Sequence, residues 1–499
     1  MYREIAYSVA RNTSIMLVQL VFTWSSTFLL LLFLPRYLGP VEYGRLNLSI
    51  TIAWIFGMLI SYGGNYLVAK KVARSKDDTA QIAVDAIAFR MLFSVVAFTG
   101  MMVVAAFADY PSRVQLLLFI IGWSFPLQAV GQVLYACYQG HEMMKYTSYA
   151  QIGNVVTANI MGVLALLMGG GAATIALLST LGSVVYFATL VGFARRIVPR
   201  VPRVNWSDTL HQLKEGFSYF MFAIFTAIYF RIDIVMLSKM APEQVIGWYS
   251  GAYKLFESLN FVPFIYSMAV YPVLSRLWTE EGGAHSRTTQ KSLEFIIMAG
   301  IPASIAAFAL APDVIPFFFG SSGYTESIVL LQCLSVGTVL FYVDMVLGTT
   351  LIASDKQHKM MIVSLVTIGI NIGLNYVLIP RFQKDFGNGA IGSAIATILT
   401  EIVVMSSLLS LMPKGILAGF RKVVFLKSAG SGVVLVAFFV ASGALGISWF
   451  IRGLIAPFVY FGTLLALRTL EPVEERYLRD EVLPWLKRAI RGKVGDGKA

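Results

Sequence analysis

Four full charges stand in two stretches that otherwise look built for lipid. Residues 216–238 carry Arg231 and Asp233, and residues 248–274 carry Lys254 and Glu257. A charge near a bilayer centre costs at least ~2.5–3.5 kcal/mol on insertion scales, so it normally faces a partner or a watery cavity. Two oppositely charged pairs on neighbouring segments therefore have two uses. They form a cross-helix ion pair that sets the register of the segments, or they line an internal polar chamber. Lys254 and Glu257 are three residues apart and share a helix face. Arg231 and Asp233, two apart, point in different directions.

The elements that carry these charges follow from composition. The 499 residues are 57% hydrophobic and only 13% charged, with mean hydropathy +0.72. A soluble protein averages ~25% charged residues, so this is an all-α polytopic membrane protein. The formal charge of +12 is read as basic cytoplasmic loops and not as a nucleic-acid surface. Cys137 and Cys333 each sit in an apolar run, and the four histidines show no HExxH-like pairing, so neither a disulfide framework nor a metal site is expected.

About 20 apolar residues cross a bilayer as a helix. On that measure about fourteen spans are expected: 14–35, 47–69, 82–106, 114–138, 149–168, 172–193, 216–238, 248–274, 292–311, 326–351, 360–380, 388–411, 423–443 and 445–467. The first is read as retained and not as a cleaved signal. Pro126, Pro263, Pro302 and Pro457 mark expected kinks. With the N-terminus inside, inside segments hold about 28 of the 39 basic residues and outside segments about 6, which puts both termini in the cytoplasm. On this reading Arg231 lies ~10 Å and Lys254 ~9 Å from the outer ends of their spans.

The halves echo each other. Leu34–Ser49 resembles Leu237–Ala252, Gly171–Thr180 resembles Gly389–Ile398, and Asn154 matches Asn371. The organisation expected is an N-lobe over 1–193, a cytoplasmic linker over 194–215 and a C-lobe over 216–411. Two added spans follow over 412–470, and then a cytoplasmic amphipathic tail over 471–499.

The stretch Arg231–Leu277 resembles the polysaccharide-exporter branch, including the O-antigen flippases, of the multidrug/oligosaccharidyl-lipid/polysaccharide exporter superfamily. The shared pattern is Arg231-x-Asp233, then Gly247-x-Tyr249-x-x-Ala252-x-Lys254, then Pro272 and Ser275; Leu38-Gly39-Pro40-x-x-Tyr43-Gly44 belongs to it as well. The resemblance implies two six-helix lobes around a central cavity plus two extra C-terminal helices. It also implies alternating access that carries a polyprenyl-diphosphate-linked oligosaccharide to the outer leaflet of the cell membrane, for cell-surface polysaccharide biosynthesis. Membrane lipid, a polysaccharide polymerase and glycosyltransferases are the expected partners, and no nucleic acid.

On that basis Arg231 and Lys254 are candidates for the diphosphate, because arginine matches phosphate oxygens in pairs and lysine acts as a point charge. Arg45, at the outer mouth of its span, meets departing phosphate or solvent, and Arg90 meets phosphate or snorkels to the cytoplasmic surface. Asp233, Glu257, Glu401 and Asp344 are candidates for ion coupling or charge pairing. Glu401, mid-span and far from both surfaces, is the foremost of them for a proton or sodium ion. No other cofactor is expected. Gln128 and Gln132, and Asn371 and Asn375, each four apart, either line the chamber and bond sugar hydroxyls or hold helices together. The absence of a GxxxxGK[ST] run argues against direct ATP drive. The alternatives are a multidrug or cation antiporter of the same superfamily and a peptidoglycan-precursor flippase. An enzyme such as a glycan polymerase is disfavoured, because the longest outer connection, 312–325, holds one acid and no histidine.

Overall fold

The computed structural model describes residues 2–62, 64–198, 202–278, 283–320 and 323–469, with positions 471, 476, 480 and 484. The proposed amphipathic tail therefore lies mostly outside the described residues. The described chain is helical, with α1 (Tyr2–Gly57), α2 (Gly64–Arg74), α3 (Thr79–Phe107), α4 (Ser112–Gly122), α5 (Ser124–Gly140) and α6 (Met144–Val155). Then come α7 (Met161–Leu167), α8 (Ala172–Ala194), α9 (Trp206–Met240), α10 (Glu243–Leu259), α11 (Phe261–Trp278) and α12 (Ala284–Phe319). The remainder are α13 (Glu326–Val336), α14 (Thr338–Ala353), α15 (Gln357–Phe386), α16 (Gly389–Leu411), α17 (Lys422–Ala444) and α18 (Trp449–Ala466).

Eleven described helical segments are long and apolar enough to cross a membrane, or twelve if α13 and α14, bent by 43°, form one span. The count of fourteen is not reached on this criterion, and α1 shows one physical reason. It is broken by non-helical backbone at Gly39, with φ 70° and ψ 170°. Leu30 and Trp54 would be ~36 Å apart on a straight helix, yet both line one cavity. The chain therefore folds back at Gly39, and the two helical arms on either side of it take the places of two expected spans. Glycine tolerates this positive φ at no steric cost.

Two of the expected proline kinks are breaks. α4 gives way to α5 at Trp123, and α10 to α11 at Asn260, each three residues before a proline (Pro126, Pro263). A proline ring removes a donor and crowds the preceding turn. Pro302 and Pro457 lie inside α12 and α18, which stay continuous. The helices also outrun the apolar stretches. Arg231 is nine residues from the end of α9 and Lys254 eleven from the start of α10, or ~13 and ~16 Å at 1.5 Å per residue. The helix ends thus lie further from both residues than the ends of the apolar stretches do.

The chain forms two compact units. One comprises Met1–Leu255, Val314–Leu330 and Met361–Thr400, the other Phe256–Asp313, Leu331–Met360 and Glu401–Ala499. In the first unit the two repeated segments pack on each other through matching glycines. A Cβ on Gly44 would lie 2.5 Å from the Glu243 carbonyl oxygen, and one on Gly247 would lie 1.9 Å from that of Pro40. The second echo also pairs alike in both copies. Asn154 Oδ1 occupies the space over Gly182, and Asn371 donates to Thr400 at 3.2 Å, the corresponding helix pairs being α6–α8 and α15–α16.

In the second unit an ion network joins α12 to residues preceding α17 and following α18. Lys291 binds Glu294 at 2.9 Å and Glu471 at 2.7 Å, and Arg421 reaches Glu471 at 3.3 Å. Arg452 on α18 binds Asp313 on α12 at 2.7 Å.

Candidate functional site

Arg231 on α9 lies near two aromatic rings. Its guanidinium carbon is 5.9 Å from the ring centroid of Trp54 on α1 and 5.9 Å from that of Tyr253 on α10. Both distances fall within the range where a cation is drawn to a ring face. The N–H donors of a guanidinium lie in its plane, an arrangement that matches phosphate or carboxylate oxygens. Lys254 follows Tyr253 directly and has an exposed side chain, and Glu257, one turn further, is half-buried.

Asp233 points elsewhere, as its spacing requires. It is 5% exposed, accepts a bond from the Ile234 amide at 2.8 Å and accepts the hydroxyl of fully buried Tyr249. Tyr249 also meets Thr397 of α16. Next to this, Asn375 donates to the carbonyl and the side-chain oxygen of Asn371 at 3.0 and 2.9 Å, and Asn371 donates to Thr400. Asn371 thus joins α15 to α16, and Asn375 braces Asn371 from one turn along α15. The sequence pattern singled out neither Thr397 nor Thr400; threonines in apolar helices carry no periodic signal of their own.

Two further arginines are committed to partners. Arg45 binds Glu42 at 2.6 Å and Glu243 at 2.6 Å, tying α1 to α10. Arg90 is 1% exposed and donates to Asn65 Oδ1 at 3.0 Å. Snorkelling of Arg90 to the cytoplasmic surface is therefore corrected: helices α2 and α5 enclose it, and an amide oxygen takes the place of water.

The second unit brings Asp344 of α14 and Glu401 of α16 together. Asp344 is 9% and Glu401 3% exposed, and their carboxyls lie in side-chain hydrogen-bond contact. Neither Asp344 oxygen meets a protein donor, since a carboxylate has no hydrogen to give. A bond between these two groups needs a shared proton. Among the described residues, no cluster of three or more His, Cys, Asp or Glu side chains is arranged to hold a metal ion.

Gln128 and Gln132 of α5 both line a cavity of about 470 Å³ in the first unit. Trp54, the platform under Arg231, is part of its wall. The sequence did not single out Trp54; only the fold-back at Gly39 shows that it stands beside α5.

Residues 9–278 match the polysaccharide biosynthesis protein family, and residues 219–377 match the MatE family. The first match covers more than half of the chain, and the protein belongs to the polysaccharide biosynthesis protein family. A protein of Escherichia coli (strain K12) named as an O-antigen transporter is 20% identical over 395 residues, covering 76% of this chain and 90% of that one. A Staphylococcus aureus capsular polysaccharide biosynthesis protein, CapF, is 22% identical over 215 residues, 41% of this chain and 51% of its own. Among solved structures, the lipid II flippase MurJ in an inward closed conformation superposes with TM-score 0.73 at 16% identity, over 93% of this chain and all of that one. An inward-facing multidrug resistance MATE transporter superposes with TM-score 0.59 at 13% identity, over 81% of this chain and all of that one. The fold is that of the superfamily of flippases and transporters. Family and fold are those of transporters and not of catalytic enzymes.

Proposed function

We propose that this protein carries a polyprenyl-diphosphate-linked oligosaccharide from the cytoplasmic to the outer leaflet of the cell membrane, for cell-surface polysaccharide biosynthesis. The observation that carries the reading is Arg231, near the rings of Trp54 and Tyr253 and ~13 Å along its helix from the helix end. A cation within an apolar segment normally faces a partner or a watery cavity, and an anionic headgroup is a ligand whose charge and oxygens suit a guanidinium. Lys254 adds a second cation from the neighbouring helix. The names of the relatives, an O-antigen transporter and a capsular polysaccharide biosynthesis protein, fit such a cargo. Alternating access is the mode of transport we propose, a reading that the likeness in fold to a flippase and a MATE transporter supports, with the polyprenyl tail remaining in lipid while the head crosses. Direction comes from a downhill ion, and Asp344 with Glu401 is the coupling site. The pair holds a proton in one state and loses it, or exchanges it for sodium, in the other.

In cells whose own flippase has been removed, the wild-type chain restores surface glycan. Arg231→Ala and Lys254→Ala should each lower that export at least tenfold with protein levels unchanged by immunoblot, and Arg231→Lys should keep part of it. Normal export by both alanine variants sinks the diphosphate role. Loss of both proteins from the membrane would instead favour a structural ion pair.

A second reading, a cation or multidrug antiporter, is favoured by the MatE match and by the buried acid pair. It predicts drug resistance in a sensitive host; the cation at Arg231 argues against that result.

A further inference from the structure

The 470 Å³ cavity of the first unit is within the ~300–1,000 Å³ range of small-molecule sites. None of its lining residues carries a charge. Its walls instead offer amides and hydroxyls, among them Gln128, Gln132, Asn159, Ser179 and Ser183, beside the indole of Trp54. Three further observations mark it as built for a ligand. The Gln132 side-chain oxygen is buried and has no hydrogen-bond partner, a cost that a bound donor removes. Asn159 and its neighbour Ala158 reach the cavity from a π-turn, Val156–Ile160, between α6 and α7. Such turns are frequent at functional sites. Trp54 is shared, since it walls the cavity and also carries Arg231 on its ring.

We infer that this cavity is a subsite for an uncharged sugar of the cargo, lying across Trp54 from the cation that meets the diphosphate; the inference rests on the diphosphate reading of Arg231. Sugar hydroxyls and acetamido groups both donate and accept, as the lining amides and hydroxyls do. An aromatic ring beside them suits the apolar face of a pyranose. An acidic sugar is unsuited, because no cation lines the cavity to pair a carboxylate, and an unpaired buried charge is costly. The sugar nearest the diphosphate enters the subsite, because Trp54 borders both the cavity and Arg231.

The test is equilibrium binding to the full chain in lipid nanodiscs, with three synthetic lipids. One is a polyprenyl diphosphate with no sugar, one carries a single N-acetylglucosamine, and one carries a single hexuronic acid. Wild type should bind the N-acetylglucosamine lipid about tenfold more tightly than the sugar-free one, the scale of one or two hydrogen bonds. The hexuronic acid lipid should show no gain. Gln132→Leu should erase the gain and leave the sugar-free affinity unchanged, whereas Arg231→Ala should weaken all three. Gln128→Leu serves if Gln132→Leu does not accumulate. A gain that survives in the leucine variant, or an equal gain for the acidic sugar, overturns the subsite. If Arg231→Ala changes nothing or no lipid binds, the diphosphate reading falls. The subsite is then judged by Ser183→Cys, whose reaction with a small maleimide should be slowed at least fivefold by free N-acetylglucosamine. Absence of that protection ends the proposal.

Discussion

Two carboxyls in contact cannot both stay ionised, and the Asp344–Glu401 pair makes this constraint unusually direct. Both side chains are buried, and neither Asp344 oxygen has a protein donor. Replacing Glu401 with glutamine supplies a permanent N–H donor and removes the need for a shared proton. Glu401→Gln should therefore fold as well as wild type, yet transport in vesicles should lose most of its response to an imposed proton or sodium gradient. A full response in the variant removes coupling from this pair. Much of the site was legible in sequence, because a charge inside an apolar run stands out: Arg231, Lys254, Asp344 and Glu401 are all visible that way. Their partners were not. Trp54, Tyr253 and Thr397 look like ordinary lipid-facing or packing residues, and only tertiary geometry shows that a ring lies under Arg231 or a hydroxyl beside Tyr249.

At the scale of elements, the motif that marks the family has a packing role. Gly44 and Gly247 hold equivalent places in the two repeated segments, and each is pressed against the backbone of the other's helix. Arg45 with Glu243 closes the same contact. Gly247→Ala places a methyl 1.9 Å from the Pro40 carbonyl oxygen, and backbone on both sides has no room to yield, so α1 and α10 must part. Overpacking of this kind costs ~1–3 kcal/mol. A thermal shift in detergent should show Gly247→Ala less stable than wild type, while Gly57→Ala, which has nothing within 4 Å, should match it. Equal melting of both variants would show that the contact does not hold the helices. Apolar length located most helices, but it misjudged their ends and breaks. Polar first turns such as Glu243–Gln244 do not look membranous, and the α1 fold-back is hidden because residues on both sides of Gly39 are equally helical.

For the whole molecule, we propose from the distribution of basic residues that both termini are cytoplasmic, an orientation that would put the Lys291–Glu294–Glu471–Arg421 network at the cytoplasmic face. Glu471 lies beyond the last span and anchors the segment after α18 to α12. The Lys291 ammonium bonded to it, with Arg421 and Arg287 nearby, holds its carboxyl below the usual carboxylate range. A carboxyl depressed by folding contributes stability above its unfolded value and loses it as pH falls through the folded one. The contribution is therefore complete at pH 7 and fades below about pH 4.5, near the ordinary glutamate value. Because the groups are partly exposed, each pair is worth only ~0.2–1 kcal/mol. Glu471→Gln should melt slightly below wild type at pH 7 in low salt, and the gap should close in acid and in high salt. A gap that persists unchanged at pH 4 would mean that Glu471 holds the tail by packing and not by charge. The same network offers a test of orientation: in right-side-out vesicles, Glu471→Cys should resist a membrane-impermeant maleimide until the membrane is opened, and prompt labelling would reverse the assignment of the termini.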